Sequence, residues 1–326
     1  MTLEEAIAEH MQLIDLELQV EELPLWQRPL KASIKFVLES ILDIRGDTKE
    51  DFAGKPWFAV IFHHIETWYR DTYGNAFDQS SGESFASGVV LVRHVPIEIR
   101  IPLTRTTPGT PGETVWLHFP LSIEQGETPT DWLVNPPNLA KIDLTESRKL
   151  KTRTTAVATA LRRIRMNTMG VTAPYHEITE LIDGVLSDLQ NAAIGLLTDS
   201  DTAKGAAMWS MQMAIERTIK AFILQKTGRK YRETHDLFYL YDDALPHCSG
   251  INRSLLKKLP NSREMVEGRY GLGAKWTIHY ATEAYFAALM LISEFSARYD
   301  RKLSVGGSRV HLKRPPWLTL PKPVTT

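Results

Sequence analysis

The spacing of apolar positions changes character along the 326-residue chain. Over the first 75 residues it follows a helical period. Leu3, Ile7, Ile14 and Leu18 form one stripe, and further helix is predicted over 30–44 and 57–69, with breaks at Gly46 and Gly54. From Val95 the chain alternates, with apolar residues at 95, 97, 99, 101 and 103, and again at 115, 117, 119, 121 and 123. Strict alternation over such a length marks a half-buried strand. The Pro- and Gly-bearing stretch 104–114 predicts a long-looped hairpin between the two, and 88–92 adds a candidate third strand. Pro96, Pro102 and Pro120 donate no ladder bonds, which puts free edges or bulges in these strands. In that pairing Arg100 stands opposite His118 on the outer face, with Trp116 beside them. Two readings stay open for this face: a contact for an anion or a base, or a solvated surface.

Helical spacing returns after the loop 131–140. A helix over 145–169 carries Leu150, Val157, Leu161 and Ile164 on one side. Arg148, Lys151 and Arg162 fall on the other, with Arg163 near them. From 171 to about 299 the pattern is almost wholly helical, with elements expected over 178–196, 202–226, 235–244 (capped by Thr234), 255–259, 262–267 and 278–295. The expected fold class is α+β: N-terminal helices with a small antiparallel β-hairpin sheet, followed by an all-α helical bundle. The expected divisions are 1–170, 171–300 and a basic, Pro/Gly-containing tail over 301–326.

Charge changes this picture more than bulk composition does. With 43% hydrophobic and 24% charged residues the chain is an ordinary globular one. A net charge of −1 argues against a protein that coats nucleic acid. That sum is a cancellation, however. Residues 1–27 hold seven acids and no Lys or Arg, and residues 147–176 hold seven bases and no acid. A basic stripe opposite an apolar one suits phosphate contact, and it equally suits pairing with the acidic first helix. The single cysteine, Cys248, excludes an intrachain disulfide and a Cys-based zinc site. No metal or cofactor is expected. The chain starts without a secretory pattern, and no apolar run approaches the ~18 residues of a membrane span. The expectation is a cytoplasmic protein without membrane contact.

In the helical part, Ala207 to Leu224 reads AMWSMQMAIERTIKAFIL. Thr227-Gly228, Thr234-His235-Asp236-Leu237 and later Arg269-Tyr270 follow it. A helix of the form A…Q-x-A-x-E-[KR]-x-[LI]-K-A, a Gly-bearing loop, T-H-D-L and a late R-Y resemble HEPN (higher eukaryotes and prokaryotes nucleotide-binding) domains. The resemblance covers roughly residues 174–299; residues 1–170 carry no such pattern. It implies an all-α bundle that dimerises, binding RNA or nucleotides. Many HEPN members are metal-independent ribonucleases of toxin–antitoxin and antiviral defence systems, while others have lost catalysis and only bind. Catalytic members carry R-x(4–6)-H near the start of a late helix. Here no His lies at that spacing after Arg269, and the one formal match is Arg229-(x5)-His235, before the T-H-D-L helix. The resemblance therefore implies Arg229 and His235 as the catalytic pair. An imidazole moves the 2′-hydroxyl or leaving-group proton, and a guanidinium holds the phosphorane charge. Arg269, Tyr270, Lys230 and Arg232 join Arg148, Lys151, Arg162 and Arg163 as nucleic-acid contacts. The expected partners are RNA or a nucleotide, a second copy of the chain, and a cognate regulatory protein. The competing reading is a non-catalytic dimerising module that binds a partner protein.

Overall fold

The computed structural model describes residues 2–80, 85–110, 113–198, 200–261, 264–265 and 276–315. The fold is α+β, dominated by helix. Its contacts form two compact units, Met1–Glu83 with Thr106–Leu117 and Val310–Thr326, and Ser84–Arg105 with His118–Arg309. These limits differ from the expected divisions at 170 and 300. The reason is one shared core. Val90 and Ile99 of the hairpin and Leu161 of the basic helix are buried in the same cluster as Ile178, Ile215 and Leu289.

In the first unit, α1 (Leu3–Val20) opens on a capping box in which Thr2 and Glu5 bond each other's backbone N–H groups. Its buried face is Ile7, Met11, Ile14 and Leu18, while Leu3 is exposed. That face shares a core with Phe58, Ile61 and Ile65 of α3 (Pro56–Tyr73). Between them α2 (Arg28–Lys35) runs into a π-turn over Phe36–Ser40, so helix ends at 40, ahead of the expected 44. The short α4 (Asn75–Ser80) follows Gly74. Buried Asp15 ties α1 to the others. It accepts hydrogen bonds from Tyr69 (2.8 Å), Tyr73, Gln19 (2.8 Å) and Arg28 (3.2 Å). Burial pushes its carboxyl up, but bonds from Tyr73, Tyr69 and Gln19 and the Arg28 charge outweigh that and hold it below the ordinary range. Glu17 pairs with Lys35 at 2.9 Å, so Asp15 and Glu17 both have basic partners inside their own unit.

The second unit begins with β1 (Phe85–Val92) and β2 (Val95–Pro102), antiparallel in register from Phe85↔Pro102 to Val92↔Val95. The candidate third strand is therefore the true partner of β2, and Arg100 faces Ser87 instead of His118. Arg93 (φ 49°) and His94 (φ 62°) make the tight turn, both left-handed as a two-residue type I′ hairpin requires. The second alternating run pairs elsewhere. It forms β4 (Thr114–His118), central in a three-stranded sheet between β3 (Arg105–Pro108) and β5 (Arg309–Lys313), most of whose residues belong to the first unit. Trp116 stacks on His311 there, with ring centroids 4.2 Å apart. His118 is buried against Glu124 at 3.1 Å.

The helices of the second unit are α5 (Leu144–Thr168), α6 (His176–Leu197), α7 (Asp201–Thr227), α8 (Leu237–Ala244) and α9 (Ile278–Ser296). Asp143 caps α5, accepting from the N–H groups of Thr145 and Glu146. The helix α7 is central and buried on almost every side; it ends on Gly228, whose N–H bonds Leu224 O at φ +63°. Gly195 lets α6 approach it closely, since a Cβ there would lie 2.8 Å from Ala203 O. The start of α8 falls at Leu237 with Asp236 as its cap, so His235 sits in the preceding loop and not in the helix. Among the described residues no helix is long and apolar enough to cross a membrane.

Candidate active site around His235

A helix buried all round must satisfy each polar side chain it carries. On α7 these include Gln212, Glu216 and Lys220, one turn apart on a single face. Glu216, only 3% exposed, takes Lys220 Nζ on one carboxylate oxygen (2.7 Å) and His235 Nδ1 on the other (2.9 Å). Gln212 Nε2 donates to the His235 backbone carbonyl at 2.5 Å. Lys220 lies over the Tyr231 ring (4.8 Å), and the Tyr231 hydroxyl donates to Glu177 of α6. Burial, then Glu177, pushes that phenol above its ordinary value. The loop between α7 and α8 is thus held at both Tyr231 and His235.

The His235 side chain is 58% exposed although its Nδ1 is anchored in the interior. An ionised carboxylate can only accept, so this contact places the proton on Nδ1 and leaves proton transfer to Nε2. Trp209 packs near the ring at 5.8 Å. A cavity of about 280 Å³ is lined by the neighbouring Gln212 and Asp236, with Phe238, and His235 itself does not line it. An exposed imidazole oriented by a buried carboxylate is an arrangement that general acid–base catalysis uses.

The other predicted residues are dispersed. Arg229 follows Gly228 at the end of α7, whereas His235 packs beside Glu216, twelve residues or roughly 18 Å back along the helix. The structure does not bring the two together within one chain. Lys230 is exposed and paired with Glu233 at 3.2 Å, and Arg232 stacks over Tyr239 at 4.6 Å. Lys226 of the same rim pairs with Asp300 at 2.6 Å. Arg269 and Tyr270 lie outside the described residues.

The basic stripe of α5 also needs correcting. Arg148, Lys151 and Arg163 are exposed, but Arg162 is fully buried and meets no solvent. Its guanidinium forks onto Glu127 (2.6 and 2.7 Å) and donates to the carbonyls of Pro102 and Ser122, both at 2.9 Å. Trp132 covers it at 4.9 Å. Every hydrogen-bonding edge of Arg162 is spent inside the protein, so it is a structural residue and not a phosphate contact.

The sequence does not mark Glu216 as the partner of His235, or Lys220 as the partner of Glu216. The available signal was three polar residues at i, i+4 and i+8 on an otherwise apolar helix. Compared with family models, curated proteins and solved structures, the chain finds no match in any of the three.

Proposed function

We propose that the protein binds RNA through its helical unit and cleaves it without a metal, with His235 as the proton-transfer group. One observation carries this reading: an exposed imidazole whose Nδ1 is held by the buried carboxylate of Glu216. Glu216 sets the tautomer and stabilises the imidazolium that forms on proton uptake. Arg229 and Arg232, exposed on the same loop, supply positive charge for the RNA backbone. The HEPN-like order of motif residues supports the reading, because Gln212, Glu216 and His235 belong to that motif and the first two each bond His235.

The test is a gel-shift and cleavage assay on total RNA with the full-length protein. Binding at about 50 mM salt that weakens steeply by about 200 mM is expected. His235→Ala should lower cleavage by about 10²–10⁴-fold while RNA affinity is kept. Absence of binding at low salt refutes the RNA reading; unchanged cleavage in the variant removes His235 from the chemistry.

The separation of Arg229 from His235 favours a second reading, a dimerising module that binds a partner protein and cleaves nothing. It predicts a stable dimer by light scattering, with no RNA affinity at either salt concentration.

A further inference from the structure

A second site with its own chemistry lies on α5, away from the charges assigned to RNA on the α7–α8 loop. Thr145, Arg148, Lys149, Thr152, Arg153 and Ala156 recur at helical spacing and line one side of a cavity of about 550 Å³. Phe286 of α9 lines it as well. This face shares only Arg148 with the stripe expected on α5: Lys149 and Arg153 enter it, and Lys151 and Arg162 do not.

Its charge balance is specific. No carboxylate among the described residues lines the cavity. Arg153 spends Nη2 on Glu283 and stacks on Phe286 with its guanidinium carbon 3.9 Å from the ring centroid. Its Nη1 is buried and has no acceptor. Arg148 and Lys149 have no carboxylate within ion-pair distance among the described residues, and they stand beside two threonine hydroxyls. A neighbouring cavity of about 520 Å³ shares Thr145, Lys149 and Arg153, but there Asp143, Glu146 and Glu283 offset the bases. The first cavity is the more electropositive of the two.

We propose that this cavity binds a small phosphate monoester carrying a flat ring, a mononucleotide in chemical class. A phosphate monoester carries about −1.5 to −2 at neutral pH, which matches Arg148 and Lys149. The threonine hydroxyls donate to its remaining oxygens, and the planar part packs on the Arg153–Phe286 stack and Ala156. The volume falls in the range of small-ligand sites, roughly 300–1,000 Å³.

Calorimetric titration of the full chain with AMP, ribose 5-phosphate and inorganic phosphate tests the proposal. Saturable binding is expected, with AMP tighter than ribose 5-phosphate and phosphate weakest. Lys149→Gln should weaken all three about tenfold. Phe286→Leu should weaken AMP selectively and leave ribose 5-phosphate unchanged. Equal affinity for AMP and ribose 5-phosphate would remove the ring from the ligand. No saturable heat with any of them, or wild-type affinity in Lys149→Gln, overturns the site. Neither residue belongs to the proposed RNA surface, so loss of ligand binding with RNA binding intact separates this inference from the RNA reading.

Discussion

Replacing Arg162 by Met keeps the length of the side chain and its apolar stem but removes the guanidinium. Glu127, 7% exposed, is then left as a buried carboxylate without its counter-charge, and the carbonyls of Pro102 and Ser122 lose a donor. Breaking a buried pair in this way costs about 3–5 kcal/mol, less than the sum of the separate bonds because they act as a unit. Against a typical stability of about 5–15 kcal/mol this is a large fraction. In urea it should move the unfolding midpoint of the second unit down by roughly 1–2 M with little change in slope. The loss should also depend on pH. In the native protein burial pushes the Glu127 carboxyl up, but the Arg162 bonds, the backbone N–H of Glu124 and nearby guanidinium charges hold it below its ordinary value. A lowered folded pKa contributes stability that is complete above the unfolded value of about 4.3 and is lost as pH falls through the folded value. In the variant, burial acts on Glu127 without the Arg162 bonds and raises its pKa, so the carboxyl takes up a proton sooner on acidification. The gap between variant and native protein should therefore narrow from about pH 8 to about pH 5. Adding Glu127→Gln to the Met variant should recover part of the loss. A cost under about 1 kcal/mol, or a gap that stays constant with pH, refutes this account of Arg162.

Tyr69→Phe removes a donor to the buried Asp15 carboxylate and should cost about 1.5–3 kcal/mol at pH 7. Since the Asp15 pKa is lowered in the fold, that cost should shrink below about pH 4, read as the difference in melting temperature between pH 7 and pH 3.5. Replacing Arg93→Asn together with His94→Gly puts the favoured residues into a turn whose two φ angles are positive. It should stabilise the second unit by about 1 kcal/mol, because the exposed Arg93–Glu146 ion pair that is lost contributes little. A urea midpoint that falls instead would show that the turn is not strained.

The long helices were legible because their apolar residues repeat over many turns, and α5, α6, α7 and α9 lie within a few residues of expectation. Strand partners were not legible. The two alternating runs are equally good strands, and the Pro/Gly stretch between them resembles the natural connection. It does join two strands, but the short β3 and β4. The turn that pairs β2 with β1 is Arg93-His94, which carries no Gly or Asn to announce it. Arg162 shows a related limit. Periodicity places it opposite the apolar face, but burial was decided by Glu127 in an irregular loop 35 residues away in sequence. At the candidate site His235 stands out in the sequence only through the T-H-D-L resemblance. Its anchor was hidden in the middle of a helix that reads as core.

The small sheet has a consequence for how the chain is made. Its strands β3 and β4 leave the ribosome about 190 residues before β5, the strand that completes it. At about 5–20 residues per second, that interval is roughly 10–40 seconds. Throughout it β4 presents an unpaired edge, and Trp116 lacks the His311 ring on which it stacks. An open edge of this kind is a template for pairing with other nascent chains. The vulnerable interval in the life of this protein thus falls during its synthesis, and codons that slow translation between 118 and 309 would lengthen it.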